Sequence, residues 1–278
     1  DAFNGISGDM ILGSFVDCFI PFGYLKKEIG KLNLKNVKLE KRTIKKSKIL
    51  ATKVNVLFGE VIKPSTLSSI KKIIIKSNLD RDIKKDSIEI FTNLARAEAK
   101  VHGTSTNKVH LHEIGAVDAI VDIVGAVCCF YKINPGTVLS SPINVGSGTV
   151  KTAHGILPVP APATAELLKG VPIYSGDLNT ELCTPTGAAI ITHYAKGYTK
   201  LPNLIVDKIG YGAGEKEFEN TPNILRLFLG HLEDDFKHEE IVVVQTNIDD
   251  MNPEIYSEVY EKLFKLKALD VYLTPVHM

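Results

Sequence analysis

The chain has 278 residues, 44% of them hydrophobic, enough to bury a sizeable core in one large domain or two. Its charged fraction of 23% is that of an ordinary globular protein. No apolar run approaches the roughly 18 residues of a membrane span and no secretory core opens the chain, which argues against a membrane-spanning or exported protein. The net charge of +1 conceals a basic segment: residues 26–86 hold 18 Lys/Arg against 6 Asp/Glu, a net of +12 that leaves −11 for the remainder. These lysines are scattered through strand and helix patterns, with almost no aromatics to stack on bases. A solvated basic face is therefore expected, with neither nucleic acid nor membrane as a partner. Four cysteines show no CxxC spacing, and adjacent Cys128 and Cys129 fall in an apolar stretch, so buried reduced thiols and a cytoplasmic location are expected.

Taken in chain order, a glycine-rich turn at residues 5–8 leads into an apolar helix over 10–19, and residues 24–32 read as helical. The run VKLEKRTIKKSKILATKVNVLF alternates and predicts two or three strands. Residues 64–77 and 83–101 are amphipathic, the second rich in helix formers and ended by His102-Gly103. A strand is expected near 137–139, a glycine-containing loop or hairpin over 144–154, helices over 162–168 and 185–195, and mainly strands over 204–229. EDDFKHEE, residues 233–240, reads as a charged linker. After it IVVVQTN, PEIYSEVYEKLFKLKA and DVYLTPV read strand, helix, strand, the start of a second α+β unit. The expected division is a main domain over 1–232 and a second over 241–278. Because the chain opens on Asp1 and stops just after a strand-like run, it is expected to be a portion of a longer protein.

The stretch HLHEIGAVDAIVD, residues 110–122, is the most unusual. At 100° per residue, Ile114, Val117, Ile120, Val121, Val124, Val127 and Cys128 share one face. Gly115, Asp118, Ala119, Asp122, Gly125, Ala126 and Cys129 share the other, and no Lys or Arg occurs from Val109 to Tyr131. The helix should be buried on both sides, with Asp118 and Asp122 as an i, i+4 like-charge pair in or beside a core. Such carboxylates either accept from loop amides or mark a cation or polar-ligand site. His110 and His112, at i, i+2 in an extended segment, point the same way and Glu113 follows. The three either make structural hydrogen bonds or bind a first-row divalent metal, for which nickel and zinc suit imidazole. KTAHG adds Lys151 and His154 in a loop able to close on the same place.

Three helix starts or turns resemble anion cradles: NGISGD with Ser7, Gly8 and Asp9; TPTG with Thr184, Pro185 and Thr186; and VGSGTVK with Gly146, Gly148 and Lys151. Ordinary capping accounts for each equally well. IGYGAG lacks the GxGxxG spacing and is no dinucleotide fingerprint. In QTNIDDMNPE, Asn247, Asp249 and Asp250 offer hard oxygen ligands suited to Mg²⁺ or Mn²⁺ on nucleotide phosphates.

DAFNGISGDM, AEAKVHG, VHLHEIGAVDAIVDIVGA, VKTAHGILPVPAPATAELLKGVPIY, TELCTPTGAA, IGYGAG and TNIDDMNPE, in this order, resemble the LarC nickel-insertion proteins over nearly the whole chain. The resemblance implies an α/β or α+β main domain followed by a smaller ferredoxin-like α+β domain, only partly present here. It implies a CTP-dependent nickel cyclometallase that inserts Ni²⁺ into a pyridinium bisthiocarboxylate mononucleotide, with CTP, carried by Mn²⁺ or Mg²⁺, hydrolysed to CMP and pyrophosphate. The product serves lactate racemase-type enzymes, whose apoenzyme is a further expected partner, and a homo-oligomer is the expected assembly. Family members usually carry a histidine-rich run after the early strands; LFGEVIKPSTL, residues 57–67, has no histidine.

On this reading His110, His112 and Glu113 handle nickel, and Asp118, Asp122 and His154 are proton acceptors or additional ligands. Gly8, Asp9, Lys151, Thr184 and Thr186 hold the mononucleotide. Asn247, Asp249 and Asp250 meet the metal–CTP phosphates. Two other readings stay open: a nickel storage or delivery protein without chemistry, and a metal-dependent nucleotide phosphohydrolase with structural histidines.

Overall fold

In the computed structural model, residues 1–59, 66–109, 111, 117–232 and 242–275 are described. They fall into two compact units, Asp1–Glu233 and Asp234–Met278. The first begins with α1 (Gly8–Cys18) and α2 (Phe22–Gly30), followed by β1 (Val37–Lys46) and β2 (Ile49–Phe58). The alternating lysine-rich run thus forms a single hairpin, turned by Ser47 and Lys48, both at positive φ (43° and 74°), as a two-residue primed turn requires. Helices α3 (Leu67–Lys76), α4 (Arg81–Val101) and α5 (Val117–Ile133) follow. Next come β3 (Leu139–Ser140), β4 (Ile143–Asn144) and the hairpin β5 (Thr149–Thr152) and β6 (Gly155–Pro158). Then α6 (Pro162–Leu167), β7 (Ile173–Tyr174), α7 (Pro185–Tyr194), β8 (Gly197–Tyr198), β9 (Leu204–Ala213) and β10 (Ile224–Leu232) complete the unit. Mixed helices and sheets place the fold in the α/β or α+β class.

The main sheet has the order β1-β2-β9-β10. Its outer pairs are antiparallel hairpin-like ribbons, and its middle seam is a parallel contact at Thr52 and Gly212. Helix α1 lies on that seam. Gly210 and Gly212 of β9 bring the sheet so close that an added Cβ would fall 2.1 Å from the Ser14 carbonyl oxygen and 1.8 Å from that of Met10. IGYGAG is therefore a strand interior shaped for helix packing, not a turn. Asp17 fastens the same seam, its carboxylate accepting from Thr52 Oγ1 (2.6 Å) and the Tyr211 amide (2.9 Å).

Side-chain contacts fix the helix directions. Gly8 meets Asp122, Gly125 meets Leu12 and Phe15 meets Phe130, so α1 and α5 run parallel. Helix α7 runs the same way, with Gly187 against Ile6 and Ser7 at one end and Tyr194 stacked on Phe130 (3.8 Å between centroids) at the other. Helix α4 is antiparallel to them, because Asp86 near its start meets Tyr131 (3.2 Å) and His193 (3.7 Å) near the ends of α5 and α7. The N-termini of α1, α5 and α7 and the C-terminus of α4 consequently share one end of the unit. The opposite end holds a cavity of about 1020 Å³ lined by Phe15, Phe19, Phe130, Ile133, Phe228 and Leu229 among others. Cys128 and Cys129 are buried free thiols in the core, and burial pushes the Cys128 thiol up to about 12.

Two expectations need correction. Helix α5 is buried almost all round, but Asp118 is exposed rather than enclosed. In the second unit only the helix is realised, as α8 (Ile255–Lys265); residues 242–248 and 271–275 are not strands. A strand exists by virtue of a partner ladder, and none is found among the described residues of that unit, where Val242, Val243 and Val244 are exposed. The charged stretch 233–240 lies outside the described residues.

Candidate functional site

The polar end of the first unit is built from three helix starts. Residues 5–7 enter α1 alongside residues 182–184, which enter α7: Ile6 N–H donates to the Leu182 carbonyl and Thr184 N–H to the Ile6 carbonyl, both at 3.0 Å. Glycine at 187 is needed for this closeness, since a Cβ there would lie 2.3 Å from the Ile6 oxygen. At α7, Thr184 caps by accepting from the Gly187 amide (3.2 Å) and Pro185 occupies the first turn, the arrangement its TPTG sequence predicts. At α1, Ser7 stands at the cap position but makes no capping bond, and its hydroxyl instead donates to Asp9 Oδ1. Asp9 Oδ1 also accepts from the Met10 amide (2.9 Å), which leaves the Gly8 and Asp9 amides as those of the first turn without a side-chain acceptor among the described residues. Each helix start carries roughly half a positive charge, so the convergence of three favours an anion.

Three carboxylates and one ammonium define the electrostatics. Asp9 Oδ2 accepts from Lys53 Nζ of β2 at 3.2 Å. Asp122, one turn into α5, lies against Gly8, where a Cβ would fall 2.3 Å from its Oδ2. Its Oδ1 is buried and has no hydrogen-bond partner among the described residues. Burial pushes Asp122 well above the usual carboxylate range; Asp9 and then Asp118 add repulsion, and Lys53 opposes them. Asp118 is exposed, its Oδ1 accepting from the Ala119 amide (2.9 Å). A half-buried carboxylate with one oxygen enclosed and unbonded among the described residues is a costly arrangement for a purely structural role. It suits a group that exchanges a proton.

The structure therefore brings Gly8, Asp9, Asp122, Thr184 and Thr186 to one end, with Asp118 at its solvent-facing edge. His154 and Lys151 are exposed on the β5–β6 hairpin, and the His154 ring lies against His102 at the end of α4 (4.6 Å between centroids). Gly146 and Gly148 adopt positive φ to pack against Thr180 and Asn179, so VGSGTVK is not an open cradle. His110, His112 and Glu113 lie outside the described residues. Among the described residues no group of three His, Cys, Asp or Glu side chains could hold a metal ion. Asn247, Asp249 and Asp250 are exposed in the second unit ahead of α8, where Asn252 Oδ1 accepts from the Glu254 amide (3.1 Å).

The sequence family described as nickel insertion protein matches residues 1–278. The chain belongs to this family. Among curated relatives, the pyridinium-3,5-bisthiocarboxylic acid mononucleotide nickel insertion protein of Desulfitobacterium hafniense (strain DSM 10664 / DCB-2) is 48% identical over 284 residues, covering 100% of this chain and 70% of the relative. The proteins of the same name from Acetivibrio thermocellus and Clostridium kluyveri are 44% and 43% identical, each covering 100% of this chain and 71% and 73% of their own lengths. No solved structure matches the chain. No helix among the described residues is long and apolar enough to cross a membrane. The polar end joins helix-start amides, whose dipoles attract an anion, to a carboxylate of raised basicity.

Sequence reasoning missed Lys53, one lysine in a basic run with nothing local to mark it.

Proposed function

We propose that this chain inserts nickel into a pyridinium-3,5-bisthiocarboxylic acid mononucleotide, the substrate named for its relatives, and that CTP is hydrolysed to CMP and pyrophosphate in the process. The observation that carries the reading is Asp122, whose Oδ1 is enclosed without a hydrogen-bond partner among the described residues and whose carboxyl is pushed up by burial, beside the converging helix starts. The mononucleotide phosphate is assigned to the amides and hydroxyls at Gly8, Thr184 and Thr186. Asp9 is held by Ser7 and Lys53, so it orients the α1 start. A carbon–nickel bond formed at the ring requires its C–H proton to leave. A carboxylate of raised basicity is the acceptor such a step needs, and Asp122 takes that role with Asp118 at the solvent side. His110, His112 and Glu113 are assigned to nickel handling. A ferredoxin-like second domain, with Asn247, Asp249 and Asp250, would meet CTP and its Mg²⁺ or Mn²⁺. The domains of the proposal are residues 1–232 and 241–278.

The test incubates full-length protein with Ni²⁺, CTP and the bisthiocarboxylate mononucleotide, and reads products by mass spectrometry. Expected are a nickel-bearing product and CMP, both lost in Asp122→Ala. Nickel binding without product would identify a storage protein, and CTP turnover indifferent to nickel a phosphohydrolase; either result ends the insertion reading.

A further inference from the structure

The β1–β2 hairpin distributes its cations unevenly along α1. Lys41 Nζ donates to the Val16 carbonyl (3.3 Å) in the last turns of the helix, where the dipole favours a positive charge. Lys46 is buried, and its ammonium donates to the Glu215 and Lys216 carbonyls (3.3 and 3.0 Å) and to the Glu217 carboxylate. Arg42, the register partner of Lys53, is turned to Glu40 (3.0 Å). Lys53 is placed against the rule that Lys41 follows: its Nζ reaches the first turn of α1 and donates to Asp9 Oδ2 at 3.2 Å. Its neighbours hold β2 in that place, because Thr52 Oγ1 donates to Asp17 of α1 (2.6 Å) and Val54 is buried. The Lys53 side chain is only 15% exposed.

A cation at a helix start opposes the helix dipole and costs stability unless an anion offsets it. Asp9 supplies that anion, yet Asp9 has no need of a lysine. Its Oδ1 already accepts from the Ser7 hydroxyl and the Met10 amide, and a carboxylate in the first turn is favoured by the dipole itself. The requirement therefore lies with another acceptor. A lysine ammonium has three hydrogens to donate. Lys53 gives one to Asp9 and meets no second acceptor among the described residues. The Gly8 and Asp9 amides beside it have no side-chain acceptor there either. Shielded donors without acceptors are costly to leave unmatched. Lys53 is also the cation that acts on Asp122, so it stands at the site and not at its outskirts.

We propose that Lys53 binds the phosphate of the mononucleotide, standing between it and Asp9 at the start of α1; the proposal rests on the nickel-insertion reading above. A phosphate monoester carries several strong acceptor oxygens, so it can accept from the ammonium and from the first-turn amides together. Lys53 at the same time offsets the repulsion that Asp9 alone would present to a phosphate there. Asp9 in turn fixes where the ammonium stands, which makes it the positioning residue of the pair.

The experiment measures by calorimetry the binding of two probes to full-length protein: the pyridinium bisthiocarboxylate mononucleotide and the same molecule without its phosphate. Wild type should prefer the mononucleotide. Lys53→Met should weaken mononucleotide binding about tenfold or more while leaving the phosphate-free probe unaffected, and Lys53→Arg should keep most of the preference. Lys53→Met combined with Asp9→Asn should stay weak, because removing the Asp9 charge does not replace the lost donors. An ion pair with a structural role alone predicts otherwise: equal losses for both probes, or recovery in the double variant. Either result overturns the proposal, as does a wild type that binds both probes equally. Melting temperatures check folding. In wild-type protein with ¹⁵N-labelled lysine, the Lys53 Nζ signal, assigned through Lys53→Arg, should shift with the mononucleotide and not with the phosphate-free probe; a signal that ignores the mononucleotide also overturns it. Protein that binds the mononucleotide through Lys53 yet makes no nickel-bearing product would count against the insertion reading alone, so the two failures are separable.

Discussion

Replacing Gly8 with alanine probes the contact on which the proposed site depends. The added Cβ would lie 2.3 Å from Asp122 Oδ2, 2.6 Å from its Cγ and 2.5 Å from its Cβ. Rotating the carboxylate relieves the first two contacts but not the third, because the Asp122 Cβ is fixed by the α5 backbone. Helices α1 and α5 must then separate along a seam where Leu12 already comes within 2.9 Å of the Cβ position of Gly125. Overpacking of this kind costs about 1–3 kcal/mol. Alanine's better helix propensity returns up to about 1 kcal/mol, for a net loss of up to about 3 kcal/mol. For a unit of this size that lowers Tm by up to about 12 °C. Asp122→Gly removes all three clashing atoms, so the double variant should be more stable than the two single losses predict, by about 1 kcal/mol or more. Urea and thermal unfolding of the four proteins close the cycle. A Gly8→Ala protein that melts at or above wild type, or strictly additive losses, would show that Gly8 and Asp122 are not in forced contact.

Asp122 also carries a pH signature. Its folded-state pKa is raised, so the fold holds a proton that the unfolded chain has released, and stability falls as pH climbs from about 4 towards the folded value. Asp122→Asn has no such proton to lose, so its Tm should gain on wild type across that interval and stay higher above it; parallel melting profiles from pH 4 to 8 would refute the assignment. Thr184→Ala removes the α7 cap and should cost about 1 kcal/mol. If Thr184 also meets the mononucleotide phosphate, calorimetry will show weaker substrate binding than the loss of stability alone produces, and unchanged affinity would remove it from the site. Asp249→Ala in the full-length protein should weaken metal–CTP binding while sparing the fold, and unaltered CTP affinity would exclude that residue.

What the sequence determined by itself is local. The 3.6-residue period of 83–101 fixes α4, and the alternation of 37–58 fixes the β1–β2 hairpin. Thr184-Pro185 fixes the start of α7, because caps and periods act within a few residues. The ordered motifs also suffice to recognise the family. The apolar runs IVVVQTN and DVYLTPV, by contrast, predict strands that are not found among the described residues, since such a run supplies a strand's residues but not its partner. Only the tertiary structure decided which polar groups meet. Lys53 reaches Asp9 across 44 residues of chain. Gly210 and Gly212 admit α1 to the β2–β9 seam and so bring Gly8 under Asp122. The β5–β6 turn carries His154 to His102 from 52 residues away. None of these pairings leaves a period or a spacing in the sequence, because each is set by the close packing of distant segments, and it is that packing which encloses Asp122 Oδ1.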